Sequence, residues 1–292
     1  MVKIIIDSGA DQNTWLQEKF DYDFIPLSII VDGEAYLDRH EMSLENLHEA
    51  MKAGKMPSTS QPSPGQIQAI LDKYREQGED VLIISLWKHL SGTFQLIQSV
   101  ISDYKENYPD FNIEVVDSNS ATVSETIIAI QALEMSKAGY SFEDVVEQAR
   151  WNADHMAVYL TVEKLDWLVK GGRLSKAAGY IGTALNVKPI LSVDDEKLYS
   201  TGVVRGKNRV YSRMAEKVKD DSASFPNQLI CISHVDQEEN ARKLEELIKN
   251  EIPEAKTMIF EFGAVLAAHI GLGGVAVAAL TDKPEIYILS ED

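Results

Sequence analysis

Cysteine is nearly absent: the 292-residue chain has one, Cys231, inside the apolar run Leu229-Ile230-Cys231-Ile232. A single thiol excludes an internal disulfide and fits a reducing, cytoplasmic setting. Its neighbours mark it as a buried structural residue rather than a reactive one. Cations are also scarce. Lys and Arg total 28 against 46 Asp and Glu, a formal net charge of −18. That balance argues against nucleic acid and anionic membrane as main partners, because both call for a basic face. It also means that an anionic ligand must find a locally positive spot on an acidic molecule. Motifs for metals and nucleotides are missing. There is no Cys-x2-Cys, no His-Glu-x-x-His and no Gly-x4-Gly-Lys-Ser/Thr loop, so neither zinc nor ATP bound through such a loop is expected. The apolar stretch at residues 4–6 is too short for a signal peptide. One segment, residues 263–280, carries no ionisable side chain except His269 and is long enough to mimic a membrane span. Gly271, Gly273 and Gly274 break it, which predicts two buried elements around a glycine loop and no stable membrane insertion. The glycines also match a loose G-x-G-x-x-A pattern, but too little chain follows for a dinucleotide-binding unit.

What is present is an alternation of strands and helices in a chain long enough for two domains, 45% of it hydrophobic. Residues 2–6, 81–85 and 113–116 are short, β-branched apolar runs, the mark of strands buried on both faces. Residues 24–31 and 34–37, split by Asp32-Gly33, predict a hairpin. Ser63-Pro64-Gly65-Gln66 is a strong helix start: Ser63 caps, Pro64 suits the first turn and Gln66 completes a capping box. Further helices are expected from Ser43, from Ser91, after Ser120 and from Ser141. Repeated β-then-α units imply an α/β fold with a mostly parallel sheet flanked by helices. The pattern changes near residue 155. A strand at 156–162 precedes two short helices flanking Gly171-Gly172, and a hairpin is expected around Asp194-Asp195-Glu196. Helices and strands then alternate to the end. Two α/β domains are predicted, 1–155 and 156–292, the second with a mixed sheet.

Polar groups stand out at five places. Thr59, between Pro57 and Pro62, precedes a capped helix, where it is either a turn residue or part of a ligand crevice at a sheet's carboxyl end. Ser91 follows a strand and opens a helix, so its hydroxyl and nearby N–H groups suit either an ordinary cap or an anion. Arg173, after Gly171-Gly172, and Arg205, at a strand end, offer planar forks for carboxylate or phosphate, or simple ion pairs. His269, in its apolar surroundings, is a core histidine or a donor to a buried carboxylate. A Ser91/His269/Asp117 triad acting on acyl esters is the catalytic alternative. However, His89-Leu90-Ser91-Gly92-Thr93 lacks the first glycine of a nucleophile elbow.

Taken together, a longer set of motifs resembles the DegV family, the lipid-binding type that includes the acyl-carrier subunit of bacterial fatty acid kinase. The residues are Asp7-Ser8 with Asp11, Pro26-Leu27, Thr59-Ser60-Gln61-Pro62-Ser63, Leu90-Ser91-Gly92-Thr93-Phe94-Gln95 and Val116-Asp117-Ser118. They continue with Lys170-Gly171-Gly172-Arg173, Lys188-Pro189-Ile190-Leu191, Arg205-Gly206-Lys207 and His269. The family usually has His-x-Gly-Pro-Gly, where this chain has His269-Ile270-Gly271-Leu272-Gly273. The resemblance implies two α/β domains with one long-chain fatty acid, such as palmitate, between them. It implies that Thr59 and Ser91 bind the carboxylate with His269 in the same network. Arg173 and Arg205 would lie near the head group or a kinase-docking surface. It further implies a non-catalytic lipid carrier with no cofactor, presenting the carboxylate to a separate ATP-dependent kinase.

Overall fold

A computed structural model describes residues 1–175, 187–194 and 196–289. The N-terminal half is built on a parallel sheet of four strands, β1 (Lys3–Asp7), β2 (Asp23–Ile25), β6 (Val81–Ser85) and β7 (Ile113–Asp117), in the order β2-β1-β6-β7. Successive side chains on a strand point to opposite faces. Ile5, Val81 and Ile83 therefore meet α3 (Pro64–Gln77) and α4 (Thr93–Asn107), while Ile4, Ile6, Leu82 and Ile84 face the other way. On that second face lie α5 (Val123–Ala138) and α6 (Phe142–Asp154). The capping box at Ser63 forms as expected, and Gly78 closes α3 in the left-handed conformation.

Strands β8 (Met156–Thr161), β9 (Val187–Val193), β10 (Leu198–Arg205), β11 (Leu229–His234), β12 (Lys256–Glu261) and β13 (Val275–Leu280) form a second, mixed sheet. Its order is β10-β9-β8-β13-β11-β12, and only β11 and β12 run parallel. Its outer face carries α8 (Lys207–Asp221) and α9 (Glu238–Glu251) over Tyr159, Ile230, Ile232 and Val277. Its inner face, with Val158, Leu160, Cys231 and Ala278, turns toward α5. Helix α5 is buried almost all round, as a helix packed between two sheets must be. It joins the two halves through one continuous apolar core.

A small antiparallel sheet of β3 (Ser28–Val31), β4 (Glu34–Leu37) and β5 (Ser58–Ser60), in the order β4-β3-β5, belongs to the first half, with α2 (Leu44–Lys52) between β4 and β5 in the chain. Its hairpin turns at Asp32 and Gly33, both at positive φ, the twist a two-residue hairpin favours. This sheet and α2 rest on α10 (Ala264–Ile270) of the second half, which also packs against α7 (Asp166–Lys170).

Two expectations are corrected. Residues 24–31 do not form one strand: Pro26 lacks the N–H a ladder needs, and the run divides into β2 and β3 in different sheets. The helix expected at Ser91 begins at Thr93, with Gly92 at its cap position. The second short helix, expected after Gly172, lies outside the described residues, which stop at 175 and resume at 187. The segment 263–280 is two buried elements, α10 and β13, around the glycine turn, and no helix among the described residues is long and apolar enough to cross a membrane.

Candidate functional site

A cavity partly open to solvent lies between the two halves. Thr59, Ser91, Arg173 and His269 all line it, brought from β5, the loop before α4, the turn after α7 and the end of α10. The rest of its wall is mainly apolar: Leu160, Leu191, Val193 and Leu198 from the second sheet, with Leu27, Leu86 and Val265 opposite. Those four share one predominantly greasy chamber with Ser120, Thr122 and Ser192.

His269 is 7% exposed and its Nε2 lies 2.7 Å from Thr59 Oγ1. Burial, with the nearby Arg173 charge adding to it, pushes the imidazole down to about 4. The ring is therefore neutral at ordinary pH and carries one N–H. Its Nδ1 has no hydrogen-bond partner among the described residues. A proton on Nδ1 would leave a buried donor unmade, which costs more than a bare lone pair. The favoured tautomer donates Nε2–H to Thr59 Oγ1, freeing the threonine hydroxyl hydrogen for an acceptor in the cavity. A main-chain turn closes on Nδ1. A Cβ at Gly171 would lie 2.4 Å from that nitrogen and 3.1 Å from Trp167 O, so only glycine fits.

Ser91 Oγ accepts a hydrogen bond from Thr93 N at 3.2 Å and lies 2.8 Å from Thr93 Oγ1. Gly92 beside it gives room to the Gln61 side chain, whose Oε1 would lie 2.8 Å from an added Cβ. Arg173 donates from Nε to Leu90 O at 3.1 Å and from Nη1 to Gly171 O at 2.6 Å. It thereby ties the turn against His269 to the loop carrying Ser91. Burial lowers its pKa, yet a guanidinium stays charged at ordinary pH.

The proposed triad is not assembled. His269 meets Thr59 rather than Ser91, and Asp117 Oδ1 accepts from Lys88 N at 3.3 Å and Asn119 N at 3.1 Å. Asp117 lines a separate groove between α4 and α6. A nucleophile needs its base within hydrogen-bond reach and the base needs an orienting partner. Arg205 also stands apart: it is exposed at the end of β10, opposite Val187, and does not line the cavity. Among the described residues no cluster of His, Cys, Asp and Glu suits a metal ion.

Residues 1–282 match the family described as "Uncharacterised protein, DegV family". This chain belongs to the DegV family. A DegV domain-containing protein of Streptococcus pyogenes serotype M3 is 32% identical over 281 residues, covering 94% of this chain and 96% of that one. Among solved structures, a DegV family protein of Ruminococcus gnavus, refined with vaccenic acid, is 27% identical. It covers 95% of this chain and 99% of its own, with a TM-score of 0.86. The Streptococcus pneumoniae fatty acid kinase B3 protein, loaded with linoleic acid, has a TM-score of 0.85 over 97% of this chain and 100% of its own. At 24% identity that likeness is one of fold.

The apolar wall of the DegV chamber escaped the reading of motifs, although a signal existed. On β8, Val158 and Leu160 alternate with Ala157 and Tyr159, and period-two patterning alone separates the inner face from the outer one. In the sequence Gly171 reads only as part of a turn. Its contact with His269 joins residues far apart in the chain, which local pattern does not reveal.

Proposed function

We propose that this protein holds one long-chain fatty acid in the cavity, carboxylate toward Thr59, Ser91, His269 and Arg173, and alkyl tail along Leu160, Leu191, Val193 and Leu198. The observation that carries this reading is the convergence of the Thr59 and Ser91 hydroxyls, a neutral imidazole and one cation in a chamber whose remaining wall is mainly apolar, with Ser120, Thr122 and Ser192 as its other polar residues. Burying alkyl chain contributes about 0.8 kcal/mol per methylene, or roughly 11 kcal/mol for about fourteen before ordering costs. The tail therefore dominates affinity, and the head group needs only satisfied hydrogen bonds. An unpartnered buried carboxylate costs several kcal/mol, and the Thr59 hydroxyl supplies a donor freed by His269. The fatty acids bound in solved DegV relatives support this ligand class.

In this reading the protein is a carrier in the cytoplasm, with its two domains meeting near residue 155. It presents the carboxylate to a separate kinase that brings ATP and magnesium, since the chain has no phosphate-binding loop. Exposed Arg205 is then available to such a partner.

Native mass spectrometry of protein made in bacterial cells tests the binding. A mass increment matching a fatty acid, exchangeable for added palmitate, is expected; recovery of apo protein alone, with no palmitate uptake, overturns it. The carrier role is tested by adding this protein to the catalytic subunit of a bacterial fatty acid kinase with ATP and palmitate. Acyl-phosphate should form faster with it than without it.

A further inference from the structure

The Asp7-Ser8 and Asp11 motif lies outside the cavity, and Asp11 sits where the two halves meet. Its side chain is fully buried, and its Oδ1 accepts a hydrogen bond from Gly263 N at 3.0 Å, across 252 residues of chain. Gly263 immediately precedes α10, the helix that carries His269, and no side chain of that helix caps it. Asp11 itself is pinned to α5. Its N–H donates to Thr126 Oγ1 at 2.9 Å, and the same hydroxyl donates to Asp11 O at 2.9 Å.

The contact is close-packed. A Cβ on Gly263 would lie 3.2 Å from Arg39 Nη2 and 3.5 Å from Ser8 O. Arg39 Nη2 in turn donates to Ala10 O at 2.7 Å. The next residues continue the junction: Gln12 bridges to Glu261, and Asn13 Nδ2 donates to Ile259 O at 3.3 Å. The start of α10 is thus fixed to the N-terminal half by Asp11. Its far end is fixed to the same half by the His269–Thr59 hydrogen bond. A helix of this length spans about 10 Å and moves as a rigid piece. A shift at Gly263 therefore carries to His269.

We propose that Asp11 is a positioning residue for the anion end of the cavity: it sets where α10 begins, so that His269 at the other end meets Thr59. This rests on the fatty-acid reading above. Asp11 touches no ligand and acts only through the helix. A purely structural Asp11 would lower thermal stability without any coupling to Thr59.

The experiment combines nitrogen NMR of the His269 ring in ligand-free protein with palmitate affinity, for wild type, Asp11→Ala, Asp11→Asn, Thr59→Val and the double variant Asp11→Ala/Thr59→Val. Asp11→Ala should weaken palmitate binding roughly tenfold and move the His269 Nε2 resonance toward that of Thr59→Val. Asp11→Asn keeps an acceptor for Gly263 N and should stay within about twofold of wild type. The double variant should bind no more weakly than Thr59→Val alone, because both changes break the same link. The proposal is overturned if folded Asp11→Ala keeps the wild-type resonance and affinity, or if the two losses multiply. Should Asp11→Ala fail to fold, Gly263→Ala disturbs the same contact from the other side and is judged by the same criteria. If wild type takes up no palmitate, the fatty-acid reading fails. The ligand-free resonances of wild type and Asp11→Ala still decide whether Asp11 sets the His269–Thr59 contact.

Discussion

Thr59 Oγ1 and His269 Nε2 lie 2.7 Å apart, a hydrogen bond between residues 210 positions apart and on opposite halves of the protein. It makes the neutral imidazole an orienting group for the threonine hydroxyl. Thr59→Val keeps the shape and removes the hydroxyl. It leaves the His269 N–H without its acceptor and the ligand carboxylate without its donor. Each buried polar group so stranded costs about 1–3 kcal/mol, so palmitate affinity should fall about tenfold to a hundredfold. Thr59→Ser should retain most of it. Calorimetric titration measures both, and an unchanged dissociation constant for Thr59→Val would remove this residue from the site.

Gly171 supplies a second handle on the same imidazole. An added methyl would stand 2.4 Å from His269 Nδ1 and 3.1 Å from the Trp167 carbonyl, which is backbone and cannot swing aside. Gly171→Ala should therefore displace the ring or the turn and weaken palmitate binding by at least about tenfold, since small misplacements at a site are costly. The circular dichroism spectrum should stay that of the wild type. Gly172, at φ 77 with open space around it, makes the comparison: alanine there strains the backbone but reaches no imidazole. Equal losses from the two variants would argue against a specific contact with His269.

The buried carboxyls of the N-terminal half predict an unusual stability profile. Asp7 accepts from Gly9 N at 2.7 Å, Ser85 Oγ at 2.6 Å and Leu86 N at 3.0 Å, yet burial still pushes it up to about 6. Asp11 is likewise raised to about 6 by burial. Glu125 goes well above the carboxylate range, through burial first and the neighbouring Asp7 charge second. A raised pKa in the folded state means the folded chain holds protons that the unfolded chain releases. The stability these groups contribute is complete below their ordinary values and is lost as the pH rises through the folded ones. His269 has the opposite sign: its contribution is present above its ordinary 6.5 and lost as the pH falls through about 4. Glu125→Gln needs no proton held in the core. It should raise Tm by roughly 2–4 °C at about pH 8, with the gain fading toward about pH 5. Scanning calorimetry across that range checks it. A gain independent of pH would mean that Glu125 is not held protonated.

How much of this was readable in advance depends on the range of the signal. The capping box at Ser63, the left-handed Gly78 and the Asp32-Gly33 turn are local chemistry, and each forms where its residues demand it. Sheet faces were readable as well, because Ile4 and Ile6 diverge from Ile5 by simple alternation. Pro26 is a local signal too: it stands between β2 and β3, which lie in different sheets. The site divides in the same way. Thr59, Ser91, Arg173 and His269 sit in recognisable motifs, and the fold brings all four to one cavity. The hydrogen-bond partner of each is not legible from local pattern. The family resemblance sets His269 in the network of Thr59 and Ser91, but no local pattern near Thr59 points to it, and nothing near Asp11 announces Gly263, because those contacts join residues 210 and 252 positions apart.

Arg173 and Arg205 test whether burial or mere charge places a cation in the site. Arg173 is committed by geometry: it lines the cavity, bonds Leu90 O and Gly171 O, and lies close enough to His269 to depress its pKa. Arg173→Ala removes the cation and also unties two loops, so palmitate affinity should fall by about tenfold or more. Arg173→Lys should recover only part, since an ammonium cannot reproduce a fork that holds two carbonyls. Arg205 is exposed at a strand end, and an exposed charge remote from a ligand contributes little in water and salt. Arg205→Ala should leave palmitate affinity unchanged and, if a kinase docks there, slow acyl-phosphate formation with that partner. Fluorescence displacement of a labelled fatty acid separates the two residues. A loss at Arg205 equal to that at Arg173 would mean the head group lies nearer the strand end than the Thr59–His269 pair.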